Sequence, residues 1–442
     1  MRLRPPGWYY HWITVKPSII PVDSAPLPAA RPLEVGGPSA SIARALLLRA
    51  LAHLEHGQLV LCEGNEQHRF GRRSQRCALS VTLRVLDPRF YRHAALGGSV
   101  GAGEAYIRGY WSCDDLTALI RIMVVNRAAL ERLDRGWARL HRPVRRLMHW
   151  LRRNSRRGSA RNIAAHYDLG NALYERMLDP TMAYSCAIFA DEHSTLEQGS
   201  RAKFDTVCRK LELQPTDRLL EIGTGWGGFA IHAAQNYGCQ VTTTTISKEQ
   251  YEYARARVER AGLSSRVTLL FEDYRDLKGC YDKLVSIEMI EAVGARYLST
   301  FFRRCSELLA PHGAMLLQAI TIQDQLYERA LHAVDYIQRY IFPGSFIPSV
   351  TAMLRAICDA TDLKLFHLED IGPHYARTLA LWRRNFFDRI DEVRRLGYPE
   401  SFVRLWEFYL CYCEGGFAER QLGDVQMLLT KPDCRRPAIA LV

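Results

Sequence analysis

The 442-residue sequence has no apolar run long enough to cross a lipid bilayer. Each long apolar stretch is interrupted by Arg, Asp or Gly before the roughly 18 to 20 residues that a spanning helix requires. The N-terminal segment contains no continuous apolar region and no small-residue cleavage site, so we expect no secretory signal. With 48% hydrophobic and 24% charged residues the composition is that of a globular protein, and the length predicts two domains.

The sequence also lacks the residue spacings of metal and disulfide sites. Its 12 cysteines form no C-x-x-C pair, and its 14 histidines show no H-E-x-x-H or related spacing. Zinc sites use such short spacings, whereas disulfide frameworks belong to oxidising compartments. We therefore predict no structural metal, no disulfide framework and a reducing cytoplasmic location.

Positive charge is concentrated in one part of the chain. The formal net charge is +12, and ten arginines lie at positions 135–161, where there is no Asp or Glu. Apolar residues such as Trp137 and Leu140 are interleaved with them, which predicts a basic amphipathic helix at an anionic membrane surface. A solvated linker and a nucleic-acid-binding segment are the alternatives, because charge alone does not distinguish them. We call residues 135–161 the arginine segment.

The pattern of the sequence changes along the chain and predicts four parts. Residues 1–38 are rich in Pro, which indicates a partly disordered arm. Residues 39–126 mix helical and alternating patterns and predict a small α/β domain, followed by a basic linker helix at 127–161. From 162 to 442, short apolar strands alternate with helices. This alternation predicts an α/β domain with a doubly wound parallel sheet.

A glycine-rich turn at 223–228, with the sequence G-T-G-W-G-G, lies between the first strand and the first helix of this sheet. Glycines allow a tight turn and let a ligand approach the backbone N–H groups of a helix N-terminus. A nicotinamide site would have an acidic residue about 20 positions further on. The second strand instead ends in a run of threonines, and the next acidic residue is Glu249, which argues against NAD.

Several motifs together resemble one known family. L-x-E-I-G-x-G-W-G-G at 219–228 is followed by T-I-S-x-x-Q at 245–250 and E-D-Y-R-D-L at 272–277. This pattern is similar to the S-adenosylmethionine-dependent cyclopropane-fatty-acyl-phospholipid synthase and mycolic acid cyclopropane synthase family. The likeness spans most of 162–420 and extends to the G-x-G-E-A-Y motif at 101–106. It implies a Rossmann-like class I methyltransferase sheet with a small N-terminal α/β domain that handles lipid.

The resemblance implies that a methylene group passes from S-adenosylmethionine to the cis double bond of acyl chains in membrane phospholipids, giving cyclopropane fatty acids. The glycine turn would approach the amino-acid end of the cofactor, Thr245 and Gln250 its ribose, and Asp273 its adenine. The residues implied to bind the cofactor are Tyr184, Ser185, Gly223, Gly225, Gly227, Thr245, Gln250, Asp273 and Tyr274.

The resemblance also implies a base. Similar enzymes hold a bicarbonate ion, here with Cys186, Glu291, the backbone of Ile320, Tyr375 and the residue at position 318. That residue is Gln318 where the family has a histidine, and glutamine can donate an N–H but cannot titrate near neutrality. On this basis Glu291→Gln is expected to slow turnover greatly while leaving cofactor binding intact.

Cys413 and a set of aromatic residues are further candidates for the active site. Cys413 matches a cysteine proposed as a nucleophile in that family, but direct transfer of a methyl group needs no covalent intermediate, so we favour a packing or pocket-lining role. Aromatic residues at helical spacing are expected to wall an acyl channel: Tyr336, Tyr340, Phe342, Trp382 and Phe386.

Alternative functions remain at this point. The same chemistry can yield methyl-branched or methylene fatty acids, and the departures at Ala292 and Gln318 keep that variant open. An RNA methyltransferase is less favoured, because the C-terminal half lacks interleaved basic and aromatic residues. We expect an enzyme that associates peripherally with an anionic membrane surface, acts on phospholipid acyl chains, binds no nucleic acid and forms a homodimer.

Overall fold

The computed structural model describes residues 38–128, 130 and 169–439. The predicted arm, apart from its last residue, lies outside the described residues, as does the whole arginine segment. The predicted domain boundaries therefore stay predictions.

The N-terminal part forms a small four-stranded sheet with three helices. Its strand order is β2-β1-β3-β4, in which β1 is parallel to β3 and the other pairs are antiparallel. Alternate residues of β1 are buried, as expected for a strand with one face on a core. The elements are α1 (Pro38–Leu51), β1 (Gly57–Glu63), β2 (Glu66–Arg72), β3 (Ser80–Val85), α2 (Arg89–Ile107), β4 (Trp111–Cys113) and α3 (Leu116–Val125).

The second sheet has seven strands in the order β10-β11-β9-β8-β5-β6-β7. The run from β9 to β7 is parallel, whereas β11 is antiparallel to both of its neighbours. The predicted α/β sheet is thus confirmed as a mostly parallel one. Its strands are β5 (Arg218–Ile222), β6 (Gln240–Thr245), β7 (Val267–Phe271), β8 (Tyr281–Ile287), β9 (Leu309–Ile322), β10 (Lys364–Asp370) and β11 (Leu422–Thr430).

Helices cover this sheet, and several begin at side-chain caps. Thr195 and Gln198 form a reciprocal capping box at one helix, and Ser247 caps another. The helices are α4 (Asn171–Met177), α5 (Leu196–Leu211), α6 (Gly228–Tyr237), α7 (Lys248–Arg260), α8 (Leu298–Leu308), α9 (Asp324–Leu331), α10 (Tyr336–Tyr340), α11 (Val350–Ala360), α12 (Gly372–Asp388), α13 (Ile390–Arg395) and α14 (Glu400–Ala418). Two short 3₁₀ turns, Ile290–Ala292 and Ala295–Tyr297, follow β8.

The two parts of the chain share an interface built on α14. Tyr106 on α2 donates a hydrogen bond to Glu407 (2.7 Å), and Arg121 on α3 pairs with Glu419 just beyond α14 (2.7 Å). Within the described ranges, no helix is both long and apolar enough to cross a membrane.

The order of the strands places a switch point between β5 and β8. From β5 the chain proceeds outwards through β6 and β7, then returns to β8 on the other side. Ligands of doubly wound sheets bind at the carboxyl ends of the strands beside such a point.

Candidate active site

A cleft of about 1170 Å³ lies at the carboxyl ends of β5, β6, β7 and β8. The turn that follows each of these strands contributes to its wall, together with residues 182–185 and the buried side chain of Lys203 on α5. This cleft therefore coincides with the switch point of the sheet.

The glycine turn after β5 forms one wall of the cleft. Gly223, Gly225 and Gly227 have φ angles of 105°, 53° and 83°, values that residues with a side chain rarely adopt. A Cβ atom at Gly223 would lie 3.2 Å from Met289 Cβ, and one at Gly228 would lie 2.4 Å from the carbonyl oxygen of Thr181. Both backbone conformation and space thus require glycine here.

The opposite wall is polar. Thr245 Oγ1 donates to Gln250 Oε1 (3.0 Å), and both side chains are buried. Both carboxylate oxygens of Asp273 accept hydrogen bonds from Arg275, at 2.8 and 2.6 Å. Oδ1 of Asp273 also accepts from the backbone N–H of Arg275 at 3.0 Å, so Arg275 holds the carboxylate in place at the wall of the cleft.

This cleft fits S-adenosylmethionine by the chemistry of its walls. The glycine turn admits a ligand to the backbone at the start of α6, and the polar wall offers groups for a ribose and an adenine. Eight of the nine residues predicted to bind the cofactor line the cleft. The ninth, Gly227, is the N-cap of α6. Their individual roles stay predictions.

The turn after β8 forms a further wall and contains two glutamates. Glu291, the predicted one, accepts a hydrogen bond at Oε1 from the backbone N–H of Ile320 (2.6 Å). Its Oε2 is buried and has no hydrogen-bond partner among the described residues. Burial, reinforced by the nearby charge of Glu288, raises the pKa of Glu291 to about 8. Glu291 therefore holds a proton at neutral pH, and it does not line the cleft.

Glu288 lines the cleft and was missed by the sequence analysis. Its Oε1 accepts from the backbone N–H of Cys186 (2.8 Å) and from Nε2 of Gln318 (2.8 Å). Its Oε2 accepts from the hydroxyl of Tyr375 (2.5 Å). The structure thus brings three residues of the predicted base site, Cys186, Gln318 and Tyr375, together around a carboxylate of the chain itself. The only signal in the sequence was a second acidic residue three positions before Glu291.

These residues do not fit the expected bicarbonate ion. Cys186, Gln318 and Tyr375 would have to donate to the ion, yet all three donate to Glu288. The fourth donor, the backbone of Ile320, is taken by Glu291. We therefore derive no step through bicarbonate.

A buried polar network extends below Glu288. Gln318 Nε2 donates also to Oδ2 of Asp424 (3.1 Å), and Gln318 Oε1 accepts from Gln426 (3.0 Å). Burial, together with the charge of Glu288, raises the pKa of Asp424 well above its usual range. Burial lowers the pKa of Lys203, whose Nζ donates to Ser185 Oγ (2.7 Å). The shifts of both groups favour their neutral forms.

Aromatic side chains surround Tyr184, which lines the cleft. The ring of Trp382 lies 5.0 Å from that of Tyr184, and the ring of Phe342 lies 6.4 Å from it. Tyr336 and Tyr340 pack against each other further away, where Tyr336 is fully buried. Of the aromatic set predicted from the sequence, Phe342 and Trp382 are therefore placed to extend the wall of the cleft.

Cys413 and Phe386 do not line the cleft. Cys413 lies on α14 beside hydrophobic core residues, and burial raises the pKa of its thiol. A protonated thiol is a poor nucleophile. This environment favours the packing role over the nucleophilic one.

One described cluster has the residue types of a metal site. Ligand atoms of Glu63, Glu66 and His68 lie within 4.8 Å of one another. Arg44 forms ion pairs with Glu63 (2.7 Å) and Glu66 (3.0 Å), so its guanidinium already balances their charge. The cluster is explained as a salt-bridge network.

The fold and the cleft define a class I S-adenosylmethionine-dependent methyltransferase: a mostly parallel sheet with a glycine turn at its switch point. A family model described as mycolic acid cyclopropane synthetase matches residues 154–427. The chain belongs to this family and is an enzyme.

Two curated relatives match most of the chain. The tuberculostearic acid methyltransferase of Mycobacterium tuberculosis is 37% identical over 94% of this chain and 95% of its own length. The cyclopropane-fatty-acyl-phospholipid synthase of Escherichia coli is 36% identical over 79% of this chain and 87% of its own.

Solved structures agree with this assignment. A cyclopropane synthase of Mycobacterium tuberculosis is 29% identical with a TM-score of 0.57, covering 62% of this chain and 98% of that one. A mycolic acid cyclopropane synthase, solved with SAH and the detergent CTAB, is 30% identical with a TM-score of 0.58 and the same coverage.

Proposed function

We propose that the protein transfers a methylene group from S-adenosylmethionine to the cis double bond of unsaturated acyl chains in membrane phospholipids, giving cyclopropane fatty acids. This proposal rests on one observation: the glycine turn and the turn that contains Glu288 line the same cleft. When bound, S-adenosylmethionine supplies an electrophilic methyl group on a positively charged sulfur.

The residues of the chain supply what an alkene substrate needs. An alkene is a weak nucleophile, so its two carbons must be held close to the methyl group in a site from which water is excluded. Tyr184, Trp382 and Phe342 provide an aromatic wall. Their rings stabilise a carbocation by about 0.5 to 2 kcal/mol each.

A methylene or methyl-branched chain is the second candidate product. It is favoured by the relative that matches over 94% of this chain, which is a methyltransferase, whereas the cyclopropane synthase matches over 79%. Gln318 in place of a titratable histidine supports it too. A methylene product contains the same atoms as a cyclopropane, whereas a saturated methyl branch needs an added hydride.

We also propose that the enzyme reaches its substrate by binding peripherally to an anionic membrane. The arginine segment carries ten of the positive charges and lies between the small sheet and the catalytic sheet in sequence. Each arginine near an anionic surface contributes about 1 kcal/mol. Homodimer formation remains a prediction.

Labelled S-adenosylmethionine and vesicles of unsaturated phosphatidylglycerol test the proposed reaction. Mass spectrometry of the fatty acids should show the gain of one methylene unit, and chromatography should separate ring from branch. Vesicles of saturated phosphatidylglycerol are the control, because they offer no double bond. Label found only in added RNA would overturn the proposal.

Vesicle flotation tests the membrane proposal separately. Replacing six arginines by Gln should weaken binding to anionic vesicles, whereas unchanged binding would leave the segment a plain linker. Wild-type protein with neutral vesicles is the control. The replaced residues are Arg145, Arg146, Arg152, Arg153, Arg156 and Arg157.

A further inference from the structure

We propose that Glu288 is the catalytic base of this enzyme and that its carboxylate replaces a bound bicarbonate ion. This inference rests on the proposed function, because proton removal is needed only if a methyl group is added to a double bond. It names a residue to which the sequence motifs assign no role.

The position of Glu288 is the first argument. It follows directly after β8 and lines the same cleft as the glycine turn. Its carboxylate accepts three hydrogen bonds, from Cys186, Gln318 and Tyr375. Such donors stabilise a negative carboxylate and hold it in one orientation. Its side chain is only partly buried, so one edge remains accessible from the cleft.

Three other acidic groups at or near the cleft are less suited to this task. Asp273 forms an ion pair with Arg275 at 2.6 Å. Glu221 is buried and accepts a hydrogen bond from Thr243 at 2.5 Å, behind the glycine turn. Glu291 does not line the cleft.

Lys203 is a further titratable group near Glu288. Its Nζ is buried and donates to Ser185 Oγ. Burial lowers the pKa of Lys203, and the charge of Glu288 opposes that shift. Lys203 is therefore placed to act as a counter-charge to the carboxylate.

The protonation of the neighbouring carboxyl groups supports the same assignment. The pKa values of Asp424 and Glu291 are both raised, mainly by burial and in part by the charge of Glu288. Three carboxylates this close do not all ionise, because like charges repel in a buried site. The raised pKa values favour the protonated forms of Asp424 and Glu291, and Glu288 is the member of the cluster that lines the cleft.

The proposed step balances in atoms and charge. The π electrons of the double bond form the new carbon–carbon bond to the methyl group, the electrons of the former sulfur–methyl bond stay on sulfur, and the neighbouring chain carbon becomes a cation. Glu288 then accepts one proton from the new methyl group, and the C–H electron pair closes the three-membered ring. After a hydride shift along the chain, loss of a methyl proton gives a methylene group instead. Glu288 serves both outcomes and later releases the proton to water.

The backbone at Glu288 suggests a variant that should fold. Its φ angle is 49°, a left-handed conformation that glycine adopts freely. Glu288→Gly should therefore keep the turn while removing the carboxylate from its three donors. Glu212→Gly is a matched control, because Glu212 has a φ angle of 53° at the end of α5 and does not line the cleft.

The test compares turnover in buffer stripped of carbon dioxide with turnover in added bicarbonate. Wild-type turnover on vesicles should be the same in both buffers. Glu288→Gln should lower turnover by about 100-fold or more in both, the usual cost of losing a general base. Glu288→Gly should be equally slow without bicarbonate and should recover at least about tenfold with bicarbonate or formate, because an anion can enter the vacated donors.

Titration calorimetry with S-adenosylmethionine on each variant checks that the cleft is intact. The affinity for S-adenosylmethionine should not change. Wild-type enzyme that needs bicarbonate, or Glu288→Gln with near wild-type turnover, would overturn the role of Glu288 while leaving the proposed function standing. A wild-type enzyme that labels no unsaturated lipid in either buffer would instead overturn the proposed function.

Discussion

Two turns at the same edge of the sheet differ in how they use a left-handed backbone. The turn after β5 places three glycines there, and the turn after β8 places Glu288 there. The two turns touch, since a Cβ atom at Gly223 would lie 3.2 Å from Met289 Cβ. The first removes side chains so that a ligand can approach the backbone. The second uses the same backbone shape to turn a carboxylate towards buried donors.

The largest effect on cofactor binding is expected from adding a side chain to the glycine turn. Gly223→Ala adds a Cβ atom against Met289 at a φ angle of 105°. We expect cofactor affinity to fall by about 100-fold, equivalent to roughly 2.7 kcal/mol, because the turn must move to relieve the strain. Titration calorimetry with S-adenosylmethionine measures this.

Gly262→Ala is the matched control for that variant. Gly262 also has a positive φ angle, 68°, but nothing lies within 4 Å of an added Cβ and it is outside the cleft. It should lose some stability and keep its cofactor affinity. Equal losses of affinity in both variants would mean that strain alone, without the contact to Met289, explains the result.

The contrast between the turns also shows what sequence patterns can predict. The alternation of strands and helices after residue 162 was predicted, because short apolar strands between helices have a clear local pattern. The glycine turn was found for the same reason. The antiparallel strand β11 departs from that pattern, because its buried polar residues Asp424 and Gln426 interrupt the apolar run.

The role of Glu288 could not be predicted, because its partners come from distant parts of the chain. Cys186 lies 102 positions before it and Tyr375 lies 87 positions after it. The pairing of Gln318 with Gln426 depends on the register of β9 against β11, which no local pattern specifies. The family motif includes Glu291, and only the fold shows that Glu288 lines the cleft and Glu291 does not.

An intermediate effect is expected from converting the second turn towards a bicarbonate site. Glu288→Gly combined with Gln318→His removes the carboxylate and adds a titratable ring next to the vacated donors. We expect this double variant to need about tenfold less bicarbonate for half-maximal turnover than Glu288→Gly alone, a gain of about 1.4 kcal/mol in anion binding. Gln318→His alone, which retains Glu288, is the control and should show no response to bicarbonate. Identical bicarbonate dependence in the single and double glycine variants would show that position 318 does not contact the anion.

A smaller effect is expected at Glu291 than its sequence motif suggested. Its pKa is raised to about 8, so it is mostly neutral at pH 7, and a neutral glutamine can still accept from the backbone of Ile320. We therefore expect Glu291→Gln to slow turnover by less than about tenfold, far below the loss for Glu288→Gln. Parallel rate measurements at pH 7 decide between them. A greater loss at Glu291 than at Glu288 would reverse the assignment of the two glutamates.

A separate effect concerns stability and the carboxyl group of Glu221, which lies on β5 just before the first turn. Burial raises the pKa of Glu221 to about 8 from an ordinary value near 4.5. Between these pH values the folded state binds more protons at this group than the unfolded state does, so this contribution to stability is present at low pH and is lost as pH rises through 8. One such proton changes the free energy of unfolding by up to about 1.4 kcal/mol per pH unit.

Glu221→Gln removes the titration and can still accept from Thr243. Denaturant unfolding at pH 5 to 8 should therefore show a flatter dependence on pH for Glu221→Gln than for the wild type, with Glu249→Gln, at an exposed position on α7, as the control. Parallel curves for wild type and Glu221→Gln would mean that Glu221 is already ionised in the folded protein.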